Sequence, residues 1–184
     1  MSKINKILAC IDFSEYSLLT LGYAVDIARG TDRQIVAFHV INLRTLKGVE
    51  KISNYLPSGP VREKNETSGT SKEIDPPVNY LPYNAIDENY IASLRADRKE
   101  LLESMIKDHF SDEASRIQLK IEAGTPYECI LKAIETEGAD LVVMANKGRS
   151  NLARVLFGSS AEKVFRHSPV PVVGVRDKSK FKRG

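Results

Sequence analysis

The chain has 184 residues, of which 42% are hydrophobic and 28% are charged, and its formal net charge is +3. These values are ordinary for one globular domain, and no apolar run approaches the roughly 18 residues of a membrane helix. The polar start MSKINKILACIDF has too short an apolar part for a secretory signal. The two cysteines of the chain, Cys10 and Cys129, lie far apart in the sequence and favour neither a disulfide framework nor a zinc site. We therefore predict a soluble, cytoplasmic protein.

Strand and helix patterns alternate along the first half of the chain. The apolar run KILACID predicts a buried strand. Ser14 is placed to cap the helix that follows, and Gly30 ends that helix. QIVAFHVI predicts a second strand, and IASLRADRKELLESMIKDHF has the apolar spacing of a second long helix.

The second half continues the alternation. RIQLKIEAG predicts a half-buried strand, and DLVVMA and PVPVVGV predict two more. Between them, Thr125 and Glu128 have the spacing of a capping box around Pro126, which predicts a helix that Gly138 ends. Strands that alternate with helices predict a parallel sheet covered on both faces. Such sheets bind ligands at the carboxyl ends of their strands.

One long segment interrupts this alternation. From Asn42 to about Asn89 the chain is rich in proline, glycine, serine and charge, and we expect a short helix near LKGVEKISNYL. We predict a single domain over 1–176 with a long irregular insertion at about 43–90, followed by a basic flexible tail at 177–184. The tail has no aromatic platform beside its lysines, so a nucleic-acid role ranks last among the functions.

The segment ANKGRSNLARVLFGSS combines features of a phosphate site after the strand DLVVMA. Glycines let the backbone turn and approach a ligand, and the unpaired N–H groups of a new helix suit an anionic oxygen. Hydroxyls add donors and cations add charge. The residues concerned are Lys147, Gly148, Arg149, Gly158, Ser159 and Ser160.

A second interpretation of these residues needs no ligand. Ser159 and Glu162 have the spacing of a capping box, and Gly158 can end the turn before them. Both interpretations stay open on this segment alone.

The ends of the first two strands add a nucleoside-binding pattern at the same sheet edge. The Asp12 carboxylate can accept hydrogen bonds from a ribose hydroxyl or an adenine amine, and Val40 can supply an apolar wall. Asp12 can also act as an N-cap for the next helix, and the two roles can coexist.

The stretches KILACIDFSEYS, FHVI, AGTPYECIL and DLVVMANKGRSNLARVLFGSSAEKVFRHSPVPVVGV together resemble the universal stress protein family. The resemblance covers residues 3–43 and about 91–176. It implies an α/β fold with an open five-stranded parallel sheet, Rossmann-like, of strand order 3-2-1-4-5 with helices on both faces. It also implies a homodimer formed through the last strand, about Val170–Val175.

The ATP-binding branch of that family carries the motif G-x2-G-x9-G-[ST]. Gly148, Gly158 and Ser159 keep its spacing, whereas Ala145 replaces the first glycine and Ala161 replaces a frequent hydroxyl. A left-handed alanine and a lost hydroxyl together weaken binding by about tenfold to a hundredfold. The resemblance thus implies a site for ATP, with Mg²⁺, at these residues: Ile11, Asp12, Val40, Met144, Ala145, Lys147, Gly148, Arg149, Gly158, Ser159 and Ser160.

Catalysis has less support in the sequence. Hydrolysis needs an oriented water and a base, and no second acidic residue falls beside the glycines of the loop. His39 is expected to be a buried strand residue and His167 to lie at a helix end. Cys10 is expected to be a small buried hydrophobe. We therefore predict no catalytic residues, no metal site in the chain and little or no ATPase activity.

The last strand carries an expectation about partners. Pro169 and Pro171 cannot donate to a ladder, so PVPVVGV predicts an edge strand that pairs with a second copy, unless the insertion covers it.

Three classes of function stay open. The first is an ATP-dependent switch or sensor in stress response, and the second is a nucleotide-independent dimeric scaffold for a protein client. The third, an adenylating enzyme, would need an acceptor pocket that only the insertion can supply.

Overall fold

The computed structural model of the protein describes residues 4–43, 88–146 and 158–177. Within these ranges parallel strands alternate with α-helices, and a short 3₁₀ helix (Ser111–Arg116) follows the longest one. The strands are β1 (Lys6–Ile11), β2 (Gln34–Asn42), β3 (Ile117–Gly124), β4 (Leu141–Ala145) and β5 (Val172–Val175). The helices are α1 (Ser17–Ala28), α2 (Glu88–His109), α3 (Pro126–Glu137) and α4 (Ser159–His167).

The strands form one parallel sheet in the order β3-β2-β1-β4-β5, as the sequence predicted. The chain runs outward from β1 in one direction through β2 and β3, and in the other through β4 and β5. In the ladders Ile11 lies opposite His39, and Cys10 lies opposite Met144. The carboxyl ends of β1, β2 and β4 therefore meet at the point where the strand order reverses, which is where open α/β sheets bind ligands.

The sheet is buried on both faces. On one face Ile7 and Ala9 of β1 pack with residues of α1 and α2, among them Leu21 and Leu102. On the other face Leu8 of β1 belongs to a second cluster, to which α3 and α4 contribute. This burial explains why the central strands are continuous apolar runs in the sequence.

The ends of the helices correct two predictions. Helix α1 begins at Ser17 with Tyr16 in the N-cap position, so Ser14 is not its cap. Ser14 instead forms a turn before the helix, in which its hydroxyl accepts the Tyr16 N–H at 3.3 Å. Thr125 is the N-cap of α3 as predicted, but its side chain makes no capping hydrogen bond, so the threonine part of the predicted capping box does not form. Pro126 favours this helix start, because its fixed φ suits the first helical position.

The glycines at the helix ends agree with the sequence analysis. Gly138 is the C-cap of α3 in the left-handed conformation, with φ +62°, and Gly30 has φ +69° one residue beyond the C-cap of α1. Helix α2 begins at Glu88, close to the expected end of the insertion. The rest of the insertion, with its expected short helix, and tail residues 178–184 lie outside the described ranges. No helix in those ranges is both long and apolar enough to span a bilayer.

Candidate functional site

A cleft of about 430 Å³ opens at the carboxyl ends of β1, β2 and β4. Helices α2, α3 and α4 complete its walls. The predicted site residues that line it are Ile11, Asp12, Val40, Met144, Ala145, Gly158, Ser159 and Ser160. Lys147, Gly148 and Arg149 lie outside the described residues. The fold thus brings together both predicted halves of the site, the ends of the first strands and the start of α4.

Asp12 joins the end of β1 to the start of α1. Its Oδ1 accepts the Ser14 N–H at 3.0 Å and the Ser17 hydroxyl at 3.1 Å. Asp12 is not the N-cap of α1, which is Tyr16, but the carboxylate does hold the first turn of that helix. Its second oxygen, Oδ2, accepts no hydrogen bond from any described residue, so it is free to accept one from a ligand.

Phe13 has a strained backbone beside this carboxylate. Its φ of +56° is the single positive value at a non-glycine position in the described part of the chain. A left-handed residue with a Cβ costs roughly 1–2 kcal/mol, and such strain concentrates at functional sites. The Phe13 ring packs edge-on against the His39 ring, with centroids 4.6 Å apart. This conformation was not predictable from the sequence, because phenylalanine is not among the residues that favour it.

His39 has the structural role that the sequence predicted. Its ring is 5% exposed, and Nδ1 lies 2.7 Å from the carbonyl oxygen of Ile11. A carbonyl oxygen only accepts, so Nδ1 carries the proton and donates. The side chain therefore ties β2 to β1 at the floor of the cleft.

Cys10 lines the cleft, but its thiol is unreactive. Burial, and to a lesser degree the negative charge of Asp12, raises the pKa of the Cys10 thiol to about 12. The thiolate is the reactive form. Cys10 therefore stays a neutral thiol near neutral pH and acts as a small hydrophobe, in agreement with the sequence analysis.

The capping box that the sequence allowed at the start of α4 does not form. Gly158 is the N-cap, Ser159 is already helical, and no side chain makes a capping hydrogen bond. The carboxylate of Glu162 accepts a 2.8 Å hydrogen bond from the Arg166 guanidinium and does not form the capping-box hydrogen bond. The φ of Gly158 is −66°, so this glycine is not the left-handed residue that ends a preceding turn either.

The same helix start leaves donors facing the cleft. The first bond within α4 runs from the Glu162 N–H to the Gly158 carbonyl, at 2.9 Å. The N–H groups of Ser159, Ser160 and Ala161 have no acceptor in the described part of the chain. Unpaired N–H groups at a helix N-terminus carry partial positive charge and attract anionic oxygens.

Ala145, the replacement for a family glycine, is unstrained. It is the last residue of β4 and pairs with Val175 in the ladder, and its φ is not positive. The expected penalty of a left-handed alanine is therefore absent at this position. Ala161 is 3% exposed and packs in the core under the cleft.

Helix α2 adds a wall that the sequence analysis did not find. Leu94 and Arg98 line the cleft, and the guanidinium carbon of Arg98 lies 5.5 Å from the centroid of the Phe13 ring. In the sequence Arg98 stands in the charged run RADRKE, where nothing distinguishes it from its neighbours.

Comparison with known proteins places the chain in a family. It is 28% identical to Universal stress protein MJ0577 of Methanocaldococcus jannaschii, over 95% of this chain and 96% of that one. A solved structure of MJ0577 is similar with a TM-score of 0.66 and 26% identity, over 96% and 99% of the two chains. A universal stress protein solved in complex with cAMP shares the fold, with a TM-score of 0.52 and 19% identity over 95% and 98%. Residues 3–176 match the model of the Universal stress protein family, and the chain therefore belongs to that family.

Proposed function

We propose that the cleft binds an adenine nucleotide, with ATP as the leading ligand, and that the protein acts as a nucleotide-dependent switch or sensor in stress response. One observation carries this proposal. The unpaired N–H groups at the start of α4 and the free Oδ2 of Asp12 face a single cleft. The N–H groups suit the phosphates of a nucleotide. The carboxylate oxygen can accept a hydrogen bond from a hydroxyl or amine of its nucleoside part. The solved complex of another family member with cAMP, also an adenine nucleotide, supports the choice of ligand.

Each part of the cleft then has a role toward the nucleotide. The N–H groups and hydroxyls of Ser159 and Ser160 bind phosphate oxygens, and the sequence spacing adds Gly148 with its flanking cations. Oδ2 of Asp12 accepts a hydrogen bond from a ribose hydroxyl or from the adenine amine. Val40 and other apolar residues contact the base. Mg²⁺ arrives bound to the phosphates, as is usual for nucleotides.

The described residues of the cleft favour binding over hydrolysis. Asp12 is the acidic residue among them, and its carboxylate already holds the start of α1. His39 uses Nδ1 to donate to Ile11. In this assignment Oδ2 of Asp12 binds the nucleoside and the buried His39 ring has a structural role against Phe13, so we assign no general base among the described residues and propose little or no ATPase activity.

Thermal shift and calorimetric titration with Mg-ATP, ADP, AMP and GTP test this function. We expect the adenine nucleotides to raise the melting temperature, and Asp12→Ala and Gly148→Val to abolish most of that shift. Asp32→Ala is the matched control, because Asp32 is an exposed carboxylate on the loop before β2. A parent protein that no nucleotide stabilises would contradict the proposal.

A second candidate function, a nucleotide-independent dimeric scaffold, has support from strand β5. This strand lies at the edge of the sheet and pairs with β4 alone among the described strands. Phe165 of α4 is 45% exposed, and a Cβ added at Gly174 of β5 would lie 3.6 Å from its ring. An apolar edge of this kind pairs readily with a second copy. We propose a cytoplasmic homodimer formed through β5 in either case, with the protein client unassigned.

A further inference from the structure

Two side chains of α2 reach the cleft from one face of that helix. Leu94 and Arg98 stand four residues apart, which is the spacing of neighbours on a helix surface, and both are half-buried. Arg95 and Lys99, each one position further along, are exposed and line a separate groove against β3. Position in the helix therefore separates Arg98 from the other cations of the same charged run.

Arg98 is the half-buried arginine of the described part that lacks an acceptor. The two others, Arg33 and Arg116, each donate to two backbone carbonyls. Arg98 makes no hydrogen bond or ion pair with any described residue, and its guanidinium lies over the face of Phe13. An aromatic ring attracts the charge but provides no oxygen for the five N–H donors of the guanidinium.

Partial burial removes some of the water around a cation, so acceptors from a ligand bind it more strongly there than on an open surface. An anion that enters the cleft would supply such acceptors to Arg98. Guanidinium groups prefer phosphate and carboxylate oxygens, which they bind through two N–H groups at once. The start of α4 in the same cleft attracts the same oxygens.

We infer that Arg98 is a further ligand-binding residue, which donates to phosphate oxygens and makes the cleft select nucleotides over nucleosides. This inference rests on the proposed nucleotide function. It assigns the positive charge of the site partly to α2, a helix outside the glycine-containing loop. Phe13 is the support that holds the guanidinium over the cleft.

Calorimetric titration of the full-length chain with ATP and with adenosine tests the assignment, using Arg98→Gln and the matched control Arg95→Gln. Both variants lose one positive charge from the same helix. We expect Arg98→Gln to weaken ATP binding by about tenfold to a hundredfold, the effect of losing a charge-assisted hydrogen bond. Adenosine binding should change by less than about twofold. Arg95→Gln should change neither affinity, and Arg98→Lys should recover part of the ATP affinity.

Two outcomes would overturn the assignment while leaving the proposed function intact. One is unchanged ATP affinity in Arg98→Gln, and the other is an equal loss for ATP and adenosine, which would place Arg98 against the base or in packing. A parent protein that binds neither ligand would overturn the function itself. If Arg98→Gln does not fold, ATP binding by Arg98→Lys is compared with that of the parent at several salt concentrations. This comparison then tests the role of the guanidinium. Equal affinities for the two proteins at all salt concentrations would overturn the role of the guanidinium.

Discussion

The hydroxyl of Ser17 donates a 3.1 Å hydrogen bond to Oδ1 of Asp12, and so ties the first turn of α1 to the carboxyl end of β1. The Ser14 N–H uses the same oxygen, at 3.0 Å. One oxygen of the carboxylate is thus structural, while the other is available to a ligand. We propose that the two oxygens of Asp12 have different roles, one in holding the turn before α1 and the other in binding a ligand.

This division predicts different results for two alanine variants. Ser17→Ala should lower the free energy of unfolding by about 1 kcal/mol, because it removes one hydrogen bond, and should leave ATP affinity within about twofold. Asp12→Ala should lower both stability and affinity. Urea unfolding and calorimetry measure the two effects. If Ser17→Ala weakens ATP binding as much as Asp12→Ala, the carboxylate acts only by holding the turn.

Ala145→Gly tests the position where the chain departs from the family motif. Ala145 has no left-handed strain to relieve and sits in the β4–β5 ladder. We expect ATP affinity to change by less than about threefold. Stability should fall by about 0.5–1 kcal/mol, because glycine weakens a strand. A tenfold gain in affinity would instead mean that the Cβ of Ala145 obstructs the nucleotide.

Asp140→Asn should make stability less dependent on pH. Oδ2 of Asp140 accepts the N–H groups of Asn5 at 2.7 Å and Lys6 at 3.0 Å, and these bonds lower the pKa of the carboxyl below 3.8. A lowered folded-state pKa stabilises the protein above the unfolded value, and this contribution is lost as the pH falls through the folded value.

The variant should therefore be less stable than the parent near pH 7, and the difference should shrink below about pH 4. Urea unfolding at several pH values measures this difference in the free energy of unfolding between the variant and the parent. Asp32→Asn, which makes the same charge change at an exposed site, should show no such trend. A stability difference for Asp140→Asn that stays constant down to about pH 3 would show that the charge of Asp140 is not what the two N–H groups recognise.

The proposed dimer edge is tested by Phe165→Asp against Leu101→Asp. Both residues are large, apolar and exposed, at 45% and 47%, but Leu101 lies on α2, away from β5. Light scattering should show that Phe165→Asp shifts the protein toward monomer, because it places a charge beside the pairing edge. Leu101→Asp should keep the assembly of the parent. An equal effect of the two substitutions would exclude an interface at β5.

The sheet was predictable because its physical signal is strong. Central strands buried on both faces must be apolar throughout, so Ile7 to Ile11 and Leu141 to Ala145 are visible as strands in the sequence. The chain order of strands and helices, together with the family resemblance, then gave the topology. Glycines such as Gly138 marked helix ends because they adopt positive φ there.

The details of the site were less predictable, because tertiary contacts decide them. Ser159 and Glu162 have capping-box spacing, yet the helix begins one residue too early for the box to form. The left-handed Phe13 packs against His39, and the proposed role of Arg98 rests on the place where α2 meets the cleft. No local pattern encodes contacts between residues so distant along the chain.

The most direct test of the central proposal is mass spectrometry of small molecules released by denaturing the freshly purified protein. The account predicts ATP or ADP in the released fraction, together with stabilisation of the emptied protein by Mg-ATP. An absence of nucleotide in both measurements would contradict it. The scaffold function, carried by the β5 edge and the insertion, would then be favoured.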